Sequence, residues 1–259
     1  MNPHDQFKAE CVEEVAAMGS DAELGELARK WMDRANAAKY SYHFEWLGRP
    51  IIQYPQDVVA FQELVWAIRP DVIVETGIAH GGSLILSASL LAMLDLADAE
   101  ADGTALDPRN PKRRVVGVDI DIRPHNSAAI EAHPLRHYIR TIEGSAVDDA
   151  VADKVRGHAE GAKRVLVALD SNHTHDHVLR ELELYAPLVT PGSYCIVYDT
   201  VIEDLPADSF PDRPWGRGDN PKTAVWEYLK SHPEFEIDRA IADKLQITVA
   251  PDGFLRRKV

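Results

Sequence analysis

From Asp57 onward the chain alternates between two hydrophobic periods. Short runs of consecutive apolar, β-branched residues occur at DVIVE (71–75), RRVVGVDI (113–120), HYIRTI (137–142), RVLVALD (164–170) and SYCIVYD (193–199), and they predict strands buried on both faces. Between them, DVVAFQELVWAI, Gly82 to about Ala97, Ser127 to His133, DDAVADKVRGHA and HDHVLRELELYA carry apolar residues at helical spacing. Strands and helices in strict alternation predict an open, doubly wound α/β sheet, parallel over most of its width. After the Pro- and Gly-rich stretch LPADSFPDRPWGRGDNP, a helix at KTAVWEYLKSH leads to FEID and KLQITVA, predicted to close the sheet as an antiparallel strand pair.

The first 50 residues follow a different pattern. AECVEEVAAM and AELGELARKWMDRANAA predict two amphipathic helices, with Gly19-Ser20-Asp21 as the break and cap between them. KYSYHFEWLGRPIIQYPQD then gathers Tyr40, Tyr42, Phe44, Trp46 and Tyr54 around a Gly-Arg-Pro, a segment that reads either as a lid or as an aromatic staple holding the helices to the core. The expected organisation is therefore an N-terminal helical cap and lid (1–50) followed by a Rossmann-like domain (51–259).

Composition narrows the partners. With 28 Lys and Arg against 42 Asp and Glu, the 259 residues carry a formal charge of −14, which repels a phosphate backbone and argues against nucleic acid. No apolar run approaches the ~20 residues that span a bilayer, and the first residues lack a basic-then-apolar leader, so no membrane partner is expected. Cys11 and Cys195 fit neither a disulfide framework nor a zinc pattern, in keeping with a reducing, cytoplasmic setting. Apolar stripes on the N-terminal helices point to a homo-oligomer.

In an open parallel sheet, ligands bind beyond the carboxyl ends of the strands. The first strand ends Glu75-Thr76-Gly77-Ile78-Ala79-His80-Gly81-Gly82-Ser83 and runs into a helix, so backbone and helix N-terminus can approach a ligand closely there. The dinucleotide fingerprint is absent because Ala79 stands where its second glycine belongs. Glu75 at the tip suits a cationic group, and Ser83 in the first helical turn can donate to a carboxylate. The second strand ends at Asp119, where one carboxylate can accept both hydroxyls of a ribose. Together they point to an adenosine ligand with an amino-acid-like end, which is the shape of S-adenosylmethionine. The third strand runs into Glu143-Gly144-Ser145, a turn that either faces the adenine or only caps the next helix.

Asp170 and Asp199 end the fourth and fifth strands, and two desolvated like charges at adjacent tips call for a cation between them. Oxygen ligands favour Mg²⁺, with Thr200 as a neutral third donor. In Ser171-Asn172-His173-Thr174-His175-Asp176-His177, no Glu follows His173 to make a zinc motif, and no His-x-Asp makes an iron triad. His173 is expected to point into the cleft as a general base, with Thr174 or Asp176 capping the next helix and His177 serving as scaffold or rim.

The strings ETGIAHGGSL, VGVDIDIRPHN, LDSNHTHDHV and PDRPWGRGDNPKTAVWEYL resemble the cephalosporin hydroxylase family, related to rhamnosyl O-methyltransferases, from about Tyr40 to the end. The resemblance implies the class I S-adenosylmethionine-dependent methyltransferase fold, bound Mg²⁺, and methyl transfer to a hydroxyl of a small molecule. The implied acceptor is a deoxysugar such as rhamnose, nucleotide-linked or glycosidic, in natural-product biosynthesis. Similarity to catechol-type O-methyltransferases implies Glu75, Gly77, His80, Gly81, Ser83, Asp119, Ser145 and Asp170 as cofactor contacts. It also implies Asp170, Asp199 and Thr200 as metal ligands, Thr200 replacing an asparagine, and His173 in place of a catalytic lysine. Two alternatives are an Fe(II)/2-oxo acid hydroxylase, disfavoured by the parallel-sheet pattern, and a non-catalytic adenosine-ligand-binding subunit, disfavoured by the acceptor-side carboxylates and His173.

Overall fold

The computed structural model describes residues 2–259. Two helices, α1 (Pro3–Ser20) and α2 (Ala22–Asn36), come first, and Asp21 accepts from the Leu24 amide at 3.0 Å to cap the second. α1 buries no residue fully, whereas α2 seats Ala28 and Met32 in the core.

The aromatic segment is more regular than its sequence suggests. It forms a small antiparallel hairpin, β1 (Phe44–Trp46) with β2 (Arg49–Ile51), turned by Leu47 and Gly48, both at positive φ. Trp31, Tyr40, Phe44 and Tyr54 pack edge-on or tilted, with centroids 5.0 to 6.1 Å apart, and Tyr54 donates to Asn36 at 2.5 Å. These rings are the staple that ties the helical cap down.

The main body alternates as predicted: α3 (Pro55–Ile68), β3 (Val72–Thr76), α4 (Gly82–Asp102), β4 (Arg114–Asp119), α5 (Pro124–Glu131), β5 (Ile139–Glu143), α6 (Asp149–Ala159), β6 (Val165–Leu169), α7 (His175–Tyr185), β7 (Tyr194–Val197) and α8 (Pro221–Leu229). β3 and β6 are buried at every position because helices cover both faces. β8 (Phe235–Ile237), α9 (Arg239–Leu245) and β9 (Phe254–Arg257) complete the chain. The seven-stranded sheet has the order β5-β4-β3-β6-β7-β9-β8, parallel from β5 to β7 and antiparallel beyond.

The antiparallel pair is present, but its second strand is not KLQITVA. That run starts in the last turn of α9 and continues into a bend, where Gln246 has φ 59° and the Thr248 hydroxyl turns to the buried Asp57 carboxylate. The strand is FLRR, whose Phe254 and Leu255 enter the core while the two arginines are more exposed. α4 is long and apolar enough by length and composition to cross a membrane, yet more than half of that stretch, 56%, is buried inside the fold. Its apolar face belongs to the core.

Strand order reverses between β3 and β6. This switch point opens a crevice beyond the strand ends, and the candidate residues converge there.

Candidate active site

Gly77 is the first residue past β3, at φ +87°. A Cβ at this position would lie 2.1 Å from the Asp170 carbonyl, so only glycine lets the loop cross the end of β6. The loop is then fixed from the neighbouring strand: Asp119 Oδ2 accepts from the Ile78 and Ala79 amides at 2.8 and 3.2 Å, and its Oδ1 accepts from the Asp121 amide at 3.1 Å. Asp119 thus shapes the glycine turn, and a carboxylate retains lone pairs for a further ligand. Ala79 has φ 45°, so the position lacking a glycine still adopts the left-handed conformation. The His80 carbonyl accepts two bonds from Arg49 of the hairpin, which also reaches Asn126 at 3.0 Å. The hairpin therefore straps the loop from outside. Gly81 caps α4 at φ +83°, and Ser145 is half-buried in the loop after β5.

Glu75, 4% exposed, accepts a hydrogen bond from the Ser87 hydroxyl, with Ser83 beside it in the cleft lining. Burial pushes its carboxyl up to about 6, and the two serines partly offset that.

Asp170, His173 and Asp199 come together, with ligand atoms all within 4.8 Å of one another. His173 Nε2 lies 3.2 Å from Asp199 Oδ2, and the imidazole stands edge-on to Trp215 with centroids 4.8 Å apart. The Arg213 guanidinium lies over the same indole, 5.1 Å from its centroid. Asp199 reaches the site from φ 57°, a left-handed conformation that Asp tolerates better than most residues. Burial, then repulsion from Asp199, raises the Asp170 carboxyl well above the usual carboxylate range. Two converging carboxylates fit a hard divalent cation that would relieve this repulsion, and the imidazole stands within reach of both.

Thr200, expected as the neutral third donor, is fully buried and its hydroxyl donates to the Pro251 carbonyl at 2.6 Å, while the His173 ring stands with the two aspartates. Glu203 is engaged in holding the Pro- and Gly-rich loop before α8: it accepts from the Gly218 amide at 2.8 Å and from Asn220 at 2.6 Å. The cap of α7 also differs from expectation. Asp219, from that loop, accepts from the His175 amide at 2.7 Å, and Thr174 makes no side-chain cap.

A small cleft opens between these strand tips. Glu75, Gly77, Ser83 and Asp170 line it, joined by Gln53, Asp57 and Tyr198, which the sequence reading did not single out. Their signal was weak: QYPQD reads as a helix start, with Pro55 in the first turn and Asp57 as a favourable N-terminal acid. Asp57 is 2% exposed and accepts from Thr248 and the Val249 amide; burial pushes its carboxyl up to about 7.

Behind Asp170, Glu181 is fully buried and accepts from Ser171 at 2.7 Å, with His177 Nε2 3.0 Å from the same hydroxyl. His177 is scaffold, as predicted. Burial pushes the Glu181 carboxyl up to about 7 from 4.5, against the opposing hydroxyls of Thr76 and Ser171. The folded chain therefore keeps a proton that the unfolded chain releases, so this group's stabilisation is complete below about pH 4 and is lost as pH rises through about 7. Glu181→Gln should make the fall in Tm between about pH 5 and pH 8 shallower; an unchanged fall would place that pH dependence on other groups.

Comparison with known proteins places the chain. The family described as Rhamnosyl O-methyltransferase/CmcI matches residues 38–258. Rhamnosyl O-methyltransferase of Mycobacterium leprae (strain TN) is 28% identical over 215 residues, 82% of this chain and 82% of its own. The protein of that name from Mycobacterium tuberculosis (strain ATCC 25618 / H37Rv) is 28% identical over 207 residues, covering 78% of this chain and 73% of its own. Among solved structures, apo CmcI covers 84% of this chain and 77% of its own at 20% identity and a TM-score of 0.54. CmcI with Mg and SAM covers 84% and 78% at 18% identity and a TM-score of 0.53. At these identities the two structures speak to the fold.

Proposed function

The chain belongs to the Rhamnosyl O-methyltransferase/CmcI family, and on that premise we propose that it is an S-adenosylmethionine-dependent, Mg²⁺-dependent O-methyltransferase of a small-molecule hydroxyl. The observation that carries this reading is the convergence of Asp170, His173 and Asp199 beside a cleft lined by Glu75, Gly77 and Ser83 at the sheet's switch point. The acceptor is a deoxysugar such as rhamnose, in keeping with the relatives' name, either nucleotide-linked or glycosidic and belonging to natural-product biosynthesis.

Each part of the chain has a role in this reading. Asp119 is placed for the ribose, Ser145 for the adenine side, and the α4 N-terminus behind Gly81 and His80 for the carboxylate of the amino-acid end. S-adenosylmethionine supplies the methyl group, and Mg²⁺ held by Asp170 and Asp199 supplies Lewis acidity and a template for vicinal hydroxyls. His173, oriented by Asp199 on one side and Trp215 on the other, removes the proton of the attacking hydroxyl. Trp215, Arg213 and Arg217 roof the acceptor side, while residues 1–50 cap the domain formed by 51–259 and offer a surface for a second copy.

The test is methyl transfer to a panel of rhamnosides and nucleotide-linked deoxysugars, with and without chelator. Turnover that requires Mg²⁺ and falls roughly 10²- to 10⁴-fold in His173→Ala supports the reading. Chelator-resistant turnover, or full activity in His173→Ala, removes the metal or the base from it.

A further inference from the structure

Gln53 sits between β2 and α3, where the hairpin strap feeds into the first core helix. It is 8% exposed and lines the cleft opposite the glycine loop. Its amide oxygen Oε1 is buried with no hydrogen-bond partner in the described chain. A buried carbonyl in that state is rare in folded proteins, because desolvation is uncompensated until something donates to it.

The surroundings define that donor. Asp57, Glu75 and Asp170 line the same cleft, and among the described residues lining it there is no lysine, arginine or histidine. Two of these acids are already engaged: Glu75 by Ser87, Asp57 by Thr248 and the Val249 amide. An acid-lined, cation-free pocket with one unused carbonyl is complementary to a positively charged N–H donor.

We infer that Gln53 is a ligand-binding residue that recognises the α-ammonium group of the methyl donor, its amide oxygen accepting one ammonium N–H. The inference rests on the reading of this cleft as the methyl-donor site. It assigns the ammonium to the link between the hairpin strap and α3, so holding down that strap and holding the donor become one event. Glu75 then acts by holding Ser87 of α4 and by adding negative potential.

A ligand pair isolates the contact: S-adenosylhomocysteine, and the same molecule with its ammonium replaced by hydrogen. Calorimetric titration of the wild-type chain is expected to favour S-adenosylhomocysteine by about 10- to 100-fold, the range for a hydrogen bond to a charged group. In Gln53→Leu, S-adenosylhomocysteine should weaken by about tenfold or more while the deaminated ligand stays within about twofold, so the preference collapses. Gln53→Glu keeps an acceptor and should keep the preference. If it folds and loses the preference, or if Gln53→Leu weakens both ligands equally or neither, the inference is overturned. Wild-type protein that binds no S-adenosylhomocysteine at all would instead overturn the donor-site reading, and the role of Gln53 with it.

Discussion

Asp199→Asn is expected to lower methyl transfer about a thousandfold, equivalent to about 4 kcal/mol of transition-state stabilisation, while S-adenosylhomocysteine affinity stays within about twofold of wild type. Asp199 stands at φ 57°, and Asn is the residue that tolerates this conformation as well as Asp does, so the turn after β7 should survive the change. What is lost is the second carboxylate of the converging group and the acceptor 3.2 Å from His173 Nε2. Asp199 is not part of the lining of the cofactor cleft, which is why binding and turnover should separate. Single-turnover rates at saturating Mg²⁺, paired with calorimetry, measure both quantities. A variant that loses affinity and turnover in proportion would mean that Asp199 holds the fold of the cleft and leaves the metal to other groups.

Gly77→Ala should be the most disruptive single methyl group in the domain. Two penalties add: a left-handed φ of +87°, and a Cβ 2.1 Å from a backbone carbonyl that follows the end of a fully buried strand. Neither the loop nor β6 can move away cheaply, because Asp119 holds the loop amides and the Asp170 amide donates back to the Thr76 carbonyl at 3.0 Å. The expected loss is about 3 kcal/mol or more, a fall in Tm of roughly 6 to 12 °C for a chain of this size, with cofactor binding abolished. Thermal melts with and without S-adenosylhomocysteine check it. Wild-type stability and an undiminished ligand-induced rise in Tm would mean that the loop path differs from the one described.

The strand tips were legible in the sequence because a parallel sheet covered on both faces must be built from uninterrupted apolar runs, and whatever polar residue ends such a run stands at the cleft. Glu75, Asp119, Asp170 and Asp199 were found this way, and the structure brings Asp170 and Asp199 together with His173. Thr200 shows the limit of that logic. One residue past the tip, the Thr200 hydroxyl is fully buried and gives its proton to the Pro251 carbonyl, a partner that no local pattern reports. The strand after α9 was misplaced for a related reason: ITVA has strand composition, but Asp57 draws Thr248 and Val249 into a bend, a long-range contact that no local pattern reports. Gln53 was hidden because a glutamine before Pro55 reads as a helix approach, and only the folded chain shows its carbonyl buried in the cleft without a donor.

The most direct test of the central claim is a crystal structure grown with S-adenosylhomocysteine and Mn²⁺ in place of Mg²⁺, read through the anomalous difference map. One metal peak is expected, coordinated by the Asp170 and Asp199 carboxylates, with the nucleoside lying over the Gly77 loop and its ribose at Asp119. A metal peak away from those two aspartates, or a nucleoside bound outside the β3–β6 crevice, would contradict it.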